Sequence, residues 1–164
     1  MSISQVTTHE LRQQLGDFNS IVCTKAIVVG VEEALGEKAA AIALISAGRQ
    51  RGKSLAQAMD LVGKGSSMSL EEVRQYANKA VGVEGTRLCI IDKVEQEGEA
   101  YKVYTTETVC SAGEPEGSPR QCTFTLGAVQ GFLEAFLGKR LRGKQIESVL
   151  RGGSYDVLEF SVLG

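Results

Sequence analysis

Apolar residues recur along this chain at two different spacings, and the change of spacing falls near its middle. Ala41, Ile45, Gly48, Gly52, Leu55, Met59 and Val62 follow one another at alternating four- and three-residue steps, which is the period of one helical face. Two shorter segments ahead of it also read as helices. Ser4–Leu15 places Val6, Leu11 and Leu15 among good helix formers, and Cys23–Leu35 stops at Gly36, where a C-terminal glycine is favoured. The β-branched run Ile27, Val28, Val29 and Val31 leaves a strand as the alternative in the second of these. After a flexible break at Gly63, Gly65, Ser66 and Ser67, Ser69-Leu70-Glu71-Glu72 has the form of a capping box. It predicts a helix to about Val81, ended by Gly82 and Gly85.

Beyond that point the period shortens. Arg87–Glu95 and Ala100–Cys110 are rich in Ile, Val, Thr and Tyr and predict strands joined by a hairpin loop at Gln96–Glu99. Both prolines, Pro115 and Pro119, fall in the polar segment Gly113–Gln121, an exposed loop. Thr123–Leu137 is a strongly apolar helix closed by Gly138. Gln145–Leu150 and Tyr155–Leu163 are strands about Gly152-Gly153, with Leu158, Phe160 and Val162 on one face. The pattern predicts a single domain over 1–164, mainly helical in 1–84 and sheet plus central helix in 85–164. The fold class is α+β: two hairpins join as strand-strand-helix-strand-strand into a four-stranded antiparallel sheet, with N-terminal helices packed on one face.

Composition narrows the partners. The 164 residues are 43% hydrophobic and 23% charged with a net charge of −2, so no nucleic acid is expected to be recruited by charge. Five Phe, four Tyr and no Trp also argue against a base-stacking platform. No apolar run reaches the roughly 18 residues of a membrane-spanning helix. Residues 1–15 lack the apolar core of a secretory signal, so a cytoplasmic protein with reduced thiols is expected.

Candidate chemistry is sparse. Gly48-Arg49-Gln50-Arg51-Gly52-Lys53-Ser54 looks like a phosphate-binding loop, with Asp92 as a possible magnesium ligand. It has one residue too few between its glycines, and the helical face runs through it unbroken. His9 is the only histidine, which leaves no base for a Ser or Cys nucleophile elsewhere. The pairs Glu32-Glu33 and Glu71-Glu72 diverge around a helix and read as solvated faces. Cys110 and Cys122 flank the proline loop, and if it folds back they supply two ligands of a tetrahedral metal site; no CxxC or His pair completes one. No cofactor motif is present.

Two segments resemble the 4-vinyl reductase (hydrocarbon-binding) domain family. Gly30–Gly36 continuing to Ile45–Gly52 is similar to its helix pair with a Gly-Arg-x-x-Gly turn, and Cys122–Gly138 is similar to its Cys-x-x-x-x-Gly-x-x-x-Gly helix. Glu147 and Phe160 fall where the family keeps a Glu and a Phe, and the likeness spans Gly30 to Leu163. It implies the fold of vesicle-tethering complex subunits, a hydrophobic pocket between the layers, small apolar ligands such as tetrapyrroles, hydrocarbons or acyl chains, and homodimers. Leu150 and Leu158 stand where many members have cysteines, which shifts the expectation from metal chemistry to hydrophobic binding.

Two Gly-x-x-x-Gly ridges, Gly48/Gly52 and Gly127/Gly131, either pack two helices closely or leave room for a ligand. The expected ligand-binding residues are Ile45, Gly48, Gly52, Cys122, Phe124, Gly127, Gly131, Phe132 and Phe136. The expected function is non-catalytic binding of a small hydrophobic molecule. The alternatives are a homodimeric scaffold, a partner-protein module, or a tetrapyrrole vinyl reductase.

Overall fold

The computed structural model describes residues 12–164. The predicted helix Ser4–Leu15 and His9 lie largely outside the described residues; 12–20 run as turns and bends. Four helices follow: α1 (Ile21–Leu35), α2 (Glu37–Ala58), α3 (Leu70–Val81) and α4 (Phe124–Leu137). The strands are β1 (Ile90–Glu97), β2 (Ala100–Thr106), β3 (Leu141–Glu147) and β4 (Asp156–Val162).

In α1 the helical alternative wins over the strand. Ser20 Oγ accepts from the Val22 amide, and Val28 packs on Ala40 and Leu44 of α2. Gly36, at φ 81°, ends α1 and starts α2 in one sharp turn. The apolar face of α2 stops a turn early: Asp60 takes φ 55°, and Leu61 folds into the core while Val62 stays exposed. The capping box of α3 forms as read. Glu72 N donates to Ser69 Oγ at 3.2 Å, and Ser69 N donates to Glu72 Oε2 at 2.8 Å.

The sheet has the order β1-β2-β4-β3 and is antiparallel throughout. All four strands differ in their bounds from the reading of the sequence: the first is Ile90–Glu97 rather than Arg87–Glu95, the last loses one residue at each end, and the other two change more. The third strand is Leu141–Glu147 rather than Gln145–Leu150, and Val149–Arg151 is instead a 3₁₀ turn capped by Ser148. Leu141 is buried and pairs with Val162, while Arg142 and Lys144 point outward, as charges do on an edge strand. The second strand ends at Thr106, because Glu107 turns the chain at φ 50°, and Thr108–Cys110 fold inward instead of extending.

Helix α4 is the middle layer. Twelve of its fourteen residues are buried, so both of its sides need a partner. Leu126, Val129, Phe132, Leu133 and Phe136 share one core with Val103, Leu158 and Phe160 of the sheet and with Val73 and Ala77 of α3. The opposite side meets α2 backbone to backbone. A Cβ added at Gly48 would strike Phe124 O, at Gly52 Ala128 O, at Gly127 Ile45 O, and at Gly131 Arg49 O.

These glycines are therefore not interchangeable with the others. Gly131→Ala should cost about 3 kcal/mol or more, because the obstructing atom is backbone and cannot rotate away. Gly30→Ala, inside α1 with nothing within 4 Å, should instead gain about 1 kcal/mol. Urea denaturation of the two variants distinguishes these signs.

Candidate functional site

Seven of the nine expected ligand-binding residues sit where little room remains. Ile45, Gly48, Gly52, Gly127 and Gly131 line the α2–α4 contact. Phe132 and Phe136 are fully buried, with ring centroids 5.2 Å apart, and Phe136 stacks edge-on against Tyr76. The contact is locked by Arg49, whose Nε and Nη2 donate to the two Glu134 carboxylate oxygens at 2.6 and 2.8 Å. Gln130 Nε2 donates to Glu134 and to Leu141 O, carrying the same network to the start of β3. Gly48–Ser54 is helix interior, so no phosphate cradle forms there, and Asp92 accepts from Thr106 Oγ1 at 2.7 Å.

Cys122 and Phe124 lie elsewhere, at the N-terminal end of α4. Phe124 packs against two small clusters set apart from the main core: Val28, Ala40 and Leu44 on one side, Leu88, Val109 and Ala128 on the other. Between them runs a mostly apolar seam lined by Thr24, Val28, Leu88, Val109, Cys110 and Thr123–Thr125. Its free volume is about 10 Å³, the space of one water-sized sphere, so the seam is closed. A second, open and polar groove of about 600 Å³ runs along the β3–β4 hairpin past Gln145, Ser148 and Arg151.

The cover of the seam is α1 together with the loop after β2, and charge holds the two together. Lys25 Nζ donates to the carbonyls of Val109 and Cys110 at 3.0 and 2.7 Å and pairs with Glu114 at 3.0 Å. Arg120 bridges Glu114 and Glu32. Burial pushes the Glu114 carboxyl upward, but Lys25 and Arg120 outweigh it and leave the group below the ordinary carboxylate value. Nothing in the sequence pattern singles out these four charges, since their pairing depends on the loop folding back over α1.

At the base of the loop Cys110 and Cys122 form a disulfide, where two unpaired thiols were expected. The inward turn after Thr106 brings Cys110 back beside the first turn of α4, closing the loop that the prolines mark. Asp156 lies against the pair, with all three ligand atoms within 4.8 Å of one another. Its carboxylate already accepts from Ser111 Oγ, Gln145 Nε2 and Val149 N, and Gln145 Oε1 accepts from Cys122 N. As they stand, the residues named as metal candidates are spent on each other, beside a fully hydrogen-bonded carboxylate. Of the remaining cysteines, Cys23 is exposed on α1 and Cys89 is buried, its thiol pushed up to about 12 by burial and then by the charges of Asp156 and Asp92.

Sheet order, central helix and glycine contact together define the chain as an α+β domain. No protein-family model and no curated protein sequence matches the chain. Among solved structures it is similar to the phenol-responsive sensory domain of the transcription activator PoxR, with a TM-score of 0.65 at 15% identity over 98% of this chain and 88% of that one. A trafficking protein particle complex subunit 3 from Naegleria fowleri, covalently bound to palmitic acid, matches with a TM-score of 0.59 at 12% identity, over 88% of this chain and 93% of that one. A vinyl-4-reductase family protein from Methanocaldococcus jannaschii gives 0.49 at 15% identity, over 99% and 93%. The fold expected from the resemblance, that of the vesicle-tethering subunits, is the fold observed. Among the described residues no helix is long and apolar enough to cross a membrane.

Two expectations follow. In the native, unreduced protein a thiol reagent should label Cys23 alone; unfolding should add Cys89, and reduction the remaining two. Labelling of three or more thiols in the native state would contradict the disulfide. Because the Glu114 pKa is depressed on folding, its contribution is present at neutral pH and lost as pH falls through the depressed value. The Tm advantage of wild type over Glu114→Gln should therefore hold down to about pH 5 and shrink below about pH 4.

Proposed function

We propose that this chain is a non-catalytic binding module for a small apolar molecule, and that the molecule enters at the seam between α1 and the N-terminal end of α4. The observation that carries the reading is the character of α1. It is apolar over most of its length, yet Val28 is its only buried residue, and beneath it lies a mostly apolar seam at the margin of the main core. A helix so lightly anchored can part from Phe124 at small cost, whereas the glycine contact between α2 and α4 cannot open without breaking the core. Two structures with this fold bind phenol or palmitic acid, which supports a ligand of that chemical kind. At about 10 Å³ the seam admits a single ring only if α1 parts from Phe124, and an acyl chain or a tetrapyrrole demands that the whole cover lift. Service as a cytoplasmic accessory factor in pigment biogenesis is the wider role that the family resemblance suggests.

A second reading is favoured by a specific feature of the surface. Val22, Ile27, Leu35 and Ile42 are 73%, 63%, 57% and 74% exposed, so α1 and the start of α2 present apolar residues outward. Burial of this surface between two copies, giving a homodimer, accounts for them, and the two readings are compatible.

One experiment addresses both. Native mass spectrometry of the purified full chain, with phenol, a sixteen-carbon fatty acid and a porphyrin titrated separately, should show a complex with at least one, at the mass of a dimer. Val28→Trp, which overpacks the closed seam, should weaken that complex about tenfold or more, with circular dichroism of the variant checking that it is folded. Absence of any complex, or one insensitive to Val28→Trp, overturns the proposed site; a monomer mass removes the second reading.

A further inference from the structure

The seam is closed by two kinds of bond, one ionic and one covalent, and only the covalent one responds to a reductant. The disulfide joins residues on either side of the loop that carries Glu114 and Arg120. That loop is otherwise fastened to the β3–β4 hairpin, where Gly117 N donates to Leu150 O at 2.6 Å and Arg151 Nη1 donates to Ser118 O at 2.7 Å. Toward α1 it has the ion pairs described above. Cys110 also lines the seam itself, and its backbone carbonyl is held by Lys25 of α1. One residue thus belongs to the disulfide, to the wall of the seam and to the anchorage of the cover.

We propose that the Cys110–Cys122 disulfide is a redox latch on the cover of the seam, and that its two-electron reduction by a dithiol loosens α1 and opens the seam to an apolar ligand. The chemistry balances as ordinary thiol–disulfide exchange. A thiolate of the dithiol attacks Cys110 Sγ from the seam that Cys110 lines, and the Cys110–Cys122 bond breaks. The second thiol of the reductant then closes on the mixed disulfide. Both cysteines leave as thiols, having taken up two electrons and two protons, and the reductant leaves as its own disulfide. In a reducing compartment such a pair acts as a switch rather than a permanent staple. The other two cysteines are unpaired: Cys89 is buried in the main core, and Cys23 is exposed on α1.

The opening of the cover rests on the seam being the ligand site, but it is measured without a ligand. Hydrogen–deuterium exchange of the full chain is compared before and after reduction with dithiothreitol, with intact mass recorded in both states. Reduction should add two hydrogens in mass and speed exchange of 21–35 and 111–121 by about tenfold or more, leaving 124–137 unchanged. The double variant Cys110→Ser/Cys122→Ser should exchange like the reduced protein and ignore the reductant; unchanged protection in 124–137 shows that it is folded. Equal exchange of 21–35 in the two states overturns the latch. So does an as-isolated protein with four free thiols, or one carrying stoichiometric zinc on the cysteines. Failure of phenol, fatty acid and porphyrin to bind in either redox state removes the binding reading instead, and leaves the exchange contrast to be judged by itself.

Discussion

The contact between α2 and α4 is made of main chain, and this sets the terms for the rest of the molecule. Four glycines, two on each helix, face the partner's carbonyls so closely that none could carry a methyl group. Helices this near leave no space for side chains between them, so the apolar residues of α4 must turn toward the sheet and α3. There Leu126, Val129, Phe132 and Phe136 build the main core. The same nearness brings Arg49 within reach of Glu134, which is otherwise buried with no solvent to hold its charge. The bidentate pair is thus a consequence of the glycines as much as a bond in its own right. Removing Arg49 would leave a buried carboxylate with only Gln130 for company.

Because the middle layer is committed on both sides, whatever opens in this fold must open at its margin. Helix α1 is the marginal element: it touches α2 through Val28, and it is held over the entry of α4 largely by Lys25, Glu32 and the loop charges. Those pairs are mostly buried, but Val28 is the only buried residue of α1, so the cover has far fewer apolar contacts than the body it covers. The boundary between cover and body falls at Phe124, which packs on the two clusters apart from the main core. That residue is shared between the seam and the side of α4 facing α2.

Much of this was legible in the residues. The Ser69–Glu72 capping box, the hairpin about Gly98 and the alternation through Leu158, Phe160 and Val162 gave the elements, and two hairpins about an apolar helix gave the sheet. The glycine spacing showed that something comes close to Gly48, Gly52, Gly127 and Gly131, but not whether that something is backbone or ligand; only the packing decides for backbone. The start of β3 escaped notice because Arg142, Gly143 and Lys144 disguise an edge strand whose inward residue is Leu141. The disulfide escaped for a different reason. Cysteines twelve positions apart meet only if the loop 111–121 between them folds back on itself, and its polar composition does not show that it does. The charges of the cover share that difficulty, since Lys25, Glu32, Glu114 and Arg120 are ordinary surface residues until the loop returns.

The position of the seam follows from where the fold can spare rigidity. A cavity in the main core would strip contacts from Phe132 and Phe136, which lie against both the sheet and α3, and each missing contact there is a loss to global stability. A seam beneath α1 costs only local order, because the clusters on either side of Phe124 are separate from that core. The Gly-x-x-x-Gly helix, which could have left room for a ligand, is therefore a fixed floor. Its glycines hold it immobile against α2, and its N-terminal end, carrying Cys122 and Phe124, projects into the one region where the cover can move. A rigid floor with a weakly held cover lets a ligand be admitted by a local opening, and a covalent bond between Cys110 and Cys122, where the main core meets that cover, is placed to govern the opening.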